Sequence, residues 1–241
     1  MRPEYIGVGV IFFGAMIINA ITGFAGNLLA MPGTIQLIGM QDAKIIATLI
    51  GNYNSLLILA LTFRKINFKE VRRMTLFILP GMVIGIWLYY VLDMDFLLYV
   101  YGAVIVGVAV KTFIGGRKRV RMGFFMTFMI MTCAGMMQSL FVSGGAFVVV
   151  YALYRFEDKE EFRATLTALW VIINTLLLME EGMAGEINAD NFLLSLYVGA
   201  PTLLAVLIGH KLHQKISGRA FFRLANFLLL LSGLSCFFKV S

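Results

Sequence analysis

A helix crosses a bilayer's hydrocarbon core with roughly 20 apolar residues, and this chain is little else but runs of that kind. Bounded by charges or turn residues, they fall at 5–22, 26–40, 44–62, 74–92, 96–114, 123–141, 144–154, 164–179, 191–210 and 220–238. Hydrophobic residues make up 60% of the 241 and charged residues only 14%. Soluble domains run near about 45–50% and about 25%. The chain therefore reads as a polytopic all-α membrane protein, with no stretch polar enough for a separate soluble domain. The first twenty residues read as part of the first crossing rather than as a cleaved leader.

Two stretches break the pattern. "GFAGNLLAMPG" at 23–33 places Gly23, Gly26, Asn27, Pro32 and Gly33 where a straight apolar helix would have none of them, and "FVSGGAFVVVY" at 141–151 does the same with Ser143, Gly144 and Gly145. As one helix, residues 5–40 would span about 54 Å at 1.5 Å per residue, against a core of about 30 Å. A segment that turns back on itself absorbs the excess. Loop charge supports two such hairpins. They bring Arg64–Arg73, Lys111–Arg121, Arg155–Arg163 and Lys211–Arg223 to one side, leaving only Arg2, Lys44 and Lys239 of the 20 Lys and Arg on the other. By the positive-inside rule the basic side is cytoplasmic and both termini are extracytoplasmic. The stretch "MEEGMAGEINAD" and the "DMD" at 93–95 carry no basic residue.

Each half then holds five segments, an odd number, so the halves run in opposite directions. "IIATLIGNYNSLL" answers to "FRATLTALWVIINTLL", pairing Asn54-Ser55 with Asn174-Thr175, and Gly26 pairs with Gly145. Residues 1–120 and 121–241 are expected to form two inverted-topology membrane repeats, a recurrent build of secondary transporters. That makes about ten segments, or eight long spans if the short interrupted ones are re-entrant.

A helix that starts inside the membrane leaves its first N–H groups without intrahelical partners. Those donors and the positive end of the dipole suit an anion. The expected site joins the two breaks, with Gly23, Gly26 and Asn27 facing Ser143, Gly144 and Gly145. Hydroxyls and amides on the neighbouring helices add donors: Thr48, Asn54 and Ser55 from the first half, Thr165, Asn174 and Thr175 from the second. The bland alternative for each is close helix packing, which glycine and small hydroxyls serve well; Gly81-x-x-x-Gly85 reads that way.

These features resemble the sulfite exporter TauE/SafE family. The likeness rests on "GFAGNLLAMP" followed by "ATL…NS", and on their reprise as "VSGGAF" and "ATL…NT", across essentially the whole chain. Asn27 stands where the family commonly has another glycine, and Tyr151 where the first half has Pro32. The resemblance implies a secondary transporter or facilitator in the cell (inner) membrane. Its cargo would be sulfite, an organosulfonate or a related small anion, exported by alternating access at a mid-membrane site.

Absences narrow the choice further. Every Asp and Glu falls in or beside a loop, so no buried carboxylate is expected as a proton relay, and efflux down the membrane potential needs no coupling ion. His210 and His213 are expected at the cytoplasmic rim, too far from Ser143 for a serine-protease pair. Lys44 and Arg163 flank the polar helices, as anchors or as an anion vestibule. Cys133 and Cys236 read as small core residues. No nucleotide loop, metal-spaced His/Cys cluster, haem or flavin motif occurs, so no cofactor, metal or enzymatic activity is expected. The net charge of +7 lies in loops that suit anionic lipid rather than nucleic acid. An anion channel and a non-transporting membrane scaffold are the other readings. A channel would differ in turnover and saturation, and a scaffold in tolerating replacement of the paired asparagines.

Overall fold

The computed structural model describes residues 3–91, 106 and 123–235. The crossing expected over 96–114, apart from residue 106, falls outside the described residues, as do 93–95, the basic cluster 111–121, Arg2, Cys236 and Lys239. Among the described residues there are nine α-helices and no strand: α1 (Pro3–Thr22), α2 (Ala25–Ile38), α3 (Met40–Thr62), α4 (Phe68–Tyr89), α5 (Phe124–Phe141), α6 (Gly145–Arg155), α7 (Lys159–Met183), α8 (Ala189–Lys215) and α9 (Gly218–Ser235). Six of them (α1, α3, α4, α5, α7 and α8) are long and apolar enough to cross a membrane. The interrupted segments are shorter. At 14 and 11 residues, α2 and α6 measure about 21 and about 17 Å, short of a hydrocarbon core of about 30 Å.

The most buried spans, α3 and α7, form the centre of the molecule and run antiparallel. Lys44 near the start of α3 meets Glu180 and Glu181 near the end of α7. At the other end, Asn67 just beyond α3 binds Glu161 and Thr165 in the first turns of α7. Around this pair, α1 packs along α8 and α4 along α5. The α4–α5 contact is backbone-close: a Cβ on Gly81 would collide with the Thr132 carbonyl oxygen, and one on Gly135 with that of Ile78. Glycine is required there because any side chain would drive the helices apart. Outward faces of the peripheral helices stay greasy, with Val10, Val83, Phe125 and Leu204 exposed. Such a skin suits lipid, where an apolar surface costs nothing.

The breaks turn the chain back. After Gly23 (φ +84°), α2 returns to the end where α3 begins. After Val142 (φ +51°), α6 returns to the opposite end, where Arg155 pairs with Glu70 at 2.9 Å.

The starts of α4, α7 and α8 carry their own side-chain caps. The Asn67 side chain accepts from the Glu70 N–H, Asp158 accepts from that of Glu161, and Asn188 with Asn191 completes a capping box.

Three expectations about charge are corrected. Glu70 and Glu181 are buried, so carboxylates do lie within the protein, and uncoupled efflux loses its premise. His213 does lie in the last turn of α8, but fully buried rather than in a loop or reaching for solvent: its ring nitrogens lie 2.7 Å from the Ile21 carbonyl oxygen and 2.9 Å from Glu160. Lys44 and Arg163 are buried as well. Sequence proximity to a loop conceals this, because partners from distant helices close over the ends. Lys44 lies over the Tyr89 ring at 4.3 Å. Arg163 donates to the Ala20 carbonyl at 2.8 Å and meets His210 Nδ1 at 3.0 Å. Buried cations persist only when paired in this way. Cys133 sits half-buried in α5.

Candidate functional site

The starts of α2 and α6 lie side by side at the centre of the molecule: a Cβ on Gly145 would come within 3.0 Å of the Phe24 carbonyl oxygen. Between them and the middles of α3 and α7 runs a narrow cavity with about 20 Å³ of space open to water, room for little more than one water molecule in this conformation. Asn27, Ser55, Ser143, Gly145 and Asn174, all singled out from the sequence, line it. So do Asn19, Gln138, Gly51, Phe24 and Trp170, which sequence reasoning passed over. No charged side chain is among the described lining residues.

The helix starts are not bare. The Gly26 N–H donates to Asn19 Oδ1 at 3.2 Å, and the Gly144 N–H donates to Gln138 Oε1 at 3.1 Å. Each cap comes from the preceding span, so each break is stitched across its own hairpin. In the second half the chain of amides continues, for Gln138 Nε2 donates to Asn174 Oδ1 at 3.0 Å. Close approach at the first break requires a glycine: a Cβ on Gly26 would lie 2.7 Å from Asn19 Cβ. Gly23, in the left-handed region, exposes its carbonyl to Trp170 Nε1, which donates to it at 2.8 Å.

Donors remain over. Asn19 is 7% exposed, Asn174 2% and Ser55 2%. Among the described residues Asn19 Nδ2, Asn174 Nδ2 and the Ser55 hydroxyl have no hydrogen-bond partner, though all three residues border the cavity. Asn27 is committed differently, with Nδ2 donating to the Ala47 carbonyl at 3.1 Å and Oδ1 buried without a partner.

The remaining sequence candidates stand apart from the cavity lining. Thr48 donates to the Lys44 carbonyl and approaches Glu181 at 3.4 Å. Asn54 donates to Thr202 at 2.8 Å and to the Ile50 carbonyl, linking α3 to α8. Thr165 accepts from the Asn67 N–H, and Thr175 donates to the Val171 carbonyl. Asn19 and Gln138 could have been found from the sequence. Each is an amide within an apolar run a few residues ahead of a break, and such residues need a reason to be there.

A family model described as "Sulfite exporter TauE/SafE" matches residues 8–236. The chain is 29% identical over 177 residues to "Probable inner membrane transporter protein TsaS" of Comamonas testosteroni, an alignment covering 70% of this chain and 74% of that protein. No solved structure matches.

Proposed function

The chain belongs to the TauE/SafE family, and on that premise we propose that it is a secondary transporter or facilitator for a small anion, sulfite or an organosulfonate among the candidates. The anion binds in the cavity between the starts of α2 and α6. The supporting observation is the amide-lined cavity, bordered by two helix starts in the core of the molecule, with no charged side chain among its described lining residues. Hydrocarbon would penalise such groups by several kcal/mol each if they served nothing.

The two halves, 1–120 and 121–241, are read as inverted repeats. Positions 119 residues apart play like parts. Asn19 and Gln138 cap the breaks, Gly23 and Val142 take positive φ, and Lys44 and Arg163 are buried cations whose carbonyls accept from Thr48 and Thr167 one turn on. On this register Ser55, rather than Asn54, corresponds to Asn174, and both line the cavity. Alternating access would then exchange the roles of the halves. Expelling one negative charge from a cell negative inside gains about 2.3 kcal/mol per 100 mV. That favours export.

Purified protein in liposomes, given sulfite, sulfate, taurine, methanesulfonate and acetate, tests the reading. Saturable uptake of at least one is expected. No flux of any, with correctly inserted protein, overturns it.

A further inference from the structure

Of the four side-chain amides among the described lining residues, Asn19, Gln138 and Asn174 have their oxygens engaged by the protein, while Asn27 is reversed, its Nδ2 on the Ala47 carbonyl and its Oδ1 buried without a partner. A backbone N–H can only donate, so Gly26 compels Asn19 to turn Oδ1 toward it, and Gly144 compels Gln138 to do the same with Oε1. The Gln138 NH2 then faces the Asn174 oxygen, which leaves Asn174 Nδ2 as the unused group. The positive ends of both helices are thereby handed outward through side-chain amides, by one amide in the first half and two in series in the second. Neutral hydrogen-bond chains of this polarity strengthen as they lengthen.

Resting on the transport reading above, the geometry points to a substrate held by three neutral donors: Asn19 Nδ2, Asn174 Nδ2 and the Ser55 hydroxyl. The Gly26 and Gly144 N–H groups, already donated, do not bind it. With no cation among the described lining residues, such a site takes singly charged oxyanions and refuses dianions. Dehydrating an ion costs in proportion to the square of its charge, about fourfold more for a dianion, while its attraction to fixed neutral dipoles only doubles. A sulfonate-type headgroup suits the set, since it spreads one charge over three acceptor oxygens. Gln138 is a positioning residue, acting through Asn174.

Binding and flux of methanesulfonate (one charge) and sulfate (two) are to be measured with purified protein in detergent and in liposomes, for the wild type, Asn19→Asp, Asn174→Asp and Ser55→Ala. Asn19→Asp and Asn174→Asp keep an acceptor for the Gly26 N–H and for Gln138 Nε2 but add a negative charge as well as removing a donor, whereas Ser55→Ala touches neither cap and changes no charge. Thermal unfolding and size-exclusion profiles identify any variant that has lost its fold, and Ser55→Ala then carries the test. The wild type is expected to bind methanesulfonate and not sulfate, folded Ser55→Ala to bind it roughly tenfold to a hundredfold more weakly, the cost of one hydrogen bond to a charged group, and the folded Asp variants to bind it more weakly still, because each also adds a negative charge. Methanesulfonate flux unchanged in all folded variants overturns the donor assignment while leaving transport intact. A wild type that prefers sulfate overturns the single-charge selectivity. No flux of either anion, where other anions in the liposome panel do move, overturns the substrate class alone; silence across the whole panel overturns the transport reading and this inference together.

Discussion

An amide or carbonyl within a membrane helix is tolerated where its polar atoms find partners, and most of those at the two breaks do. Trp170 is the clearest case, since its Nε1–H is the donor that satisfies the Gly23 carbonyl at the first break. Trp170→Phe keeps an aromatic ring but deletes the donor together with the indole's five-membered ring. An unsatisfied buried carbonyl costs about 1–3 kcal/mol, so thermal unfolding in detergent should show a clear loss of stability; an unchanged midpoint would mean that the carbonyl finds another partner. Gly26→Ala is expected to be worse for function than for folding, because the new Cβ pushes on Asn19 Cβ and displaces its NH2 from the cavity. Its check is methanesulfonate binding beside the melting curve, and intact binding would show that the cap tolerates the shift. At this level the sequence was partly readable. Asn27 was recognisable as a polar residue in the first break, and Ser55 and Asn174 as polar residues on the helices that follow the breaks. Asn19 and Gln138 lie upstream of the breaks, in the preceding span, and a local pattern marks where a helix starts without marking the residue that folds back to cap it.

Helices report the same division between local and distant causes. The apolar runs translate closely into α1 to α9, because hydrocarbon leaves a backbone few alternatives to a helix. What the runs could not reveal is which side chains at helix ends are covered. The short helix α6 illustrates this: Tyr151 donates to Glu70 at 2.6 Å, and Arg155 pairs with the same carboxylate. Those partners lie more than 80 positions apart in the chain, beyond any local pattern. Glu70→Gln keeps an acceptor for Tyr151 and loses the charge facing Arg155. Because Arg155 is 45% exposed, water screens part of the interaction, and a loss of about 1 kcal/mol is expected. A fall as large as the removal of a fully buried ion-pair partner, about 3–5 kcal/mol, would show that α6 is held mainly by this pair. The α4–α5 contact allows a sharper contrast. Gly81→Val should abolish stable expression, since the Thr132 backbone occupies the space it needs. Gly14→Ala, on an open face of α1 with nothing within 4 Å, should be tolerated. Equal tolerance of both, measured by size-exclusion profile, would refute the packing described for α4 and α5.

Across the molecule, charge sorts by end. Hydrogen bonds from Asn67 to Glu161 and from Lys159 to the His213 and Ile216 carbonyls gather three of the basic stretches together. The acidic stretch after α7 lies at the other end, where Tyr90 reaches Glu180 and Glu186 and Lys44 reaches Glu180 and Glu181. The basic end is proposed as cytoplasmic, in line with the positive-inside rule, and the two halves as threading in opposite senses to meet at one amide-lined cavity. The most direct test places single thiols at Lys65 and at Met183, both exposed, in a Cys133→Ser/Cys236→Ser background, and labels intact cells and inverted vesicles with a membrane-impermeant reagent. The expected result is labelling of the Lys65→Cys protein only from the cytoplasmic side and of the Met183→Cys protein only from outside. Labelling of both from the same side would contradict the opposed threading on which the proposed site depends.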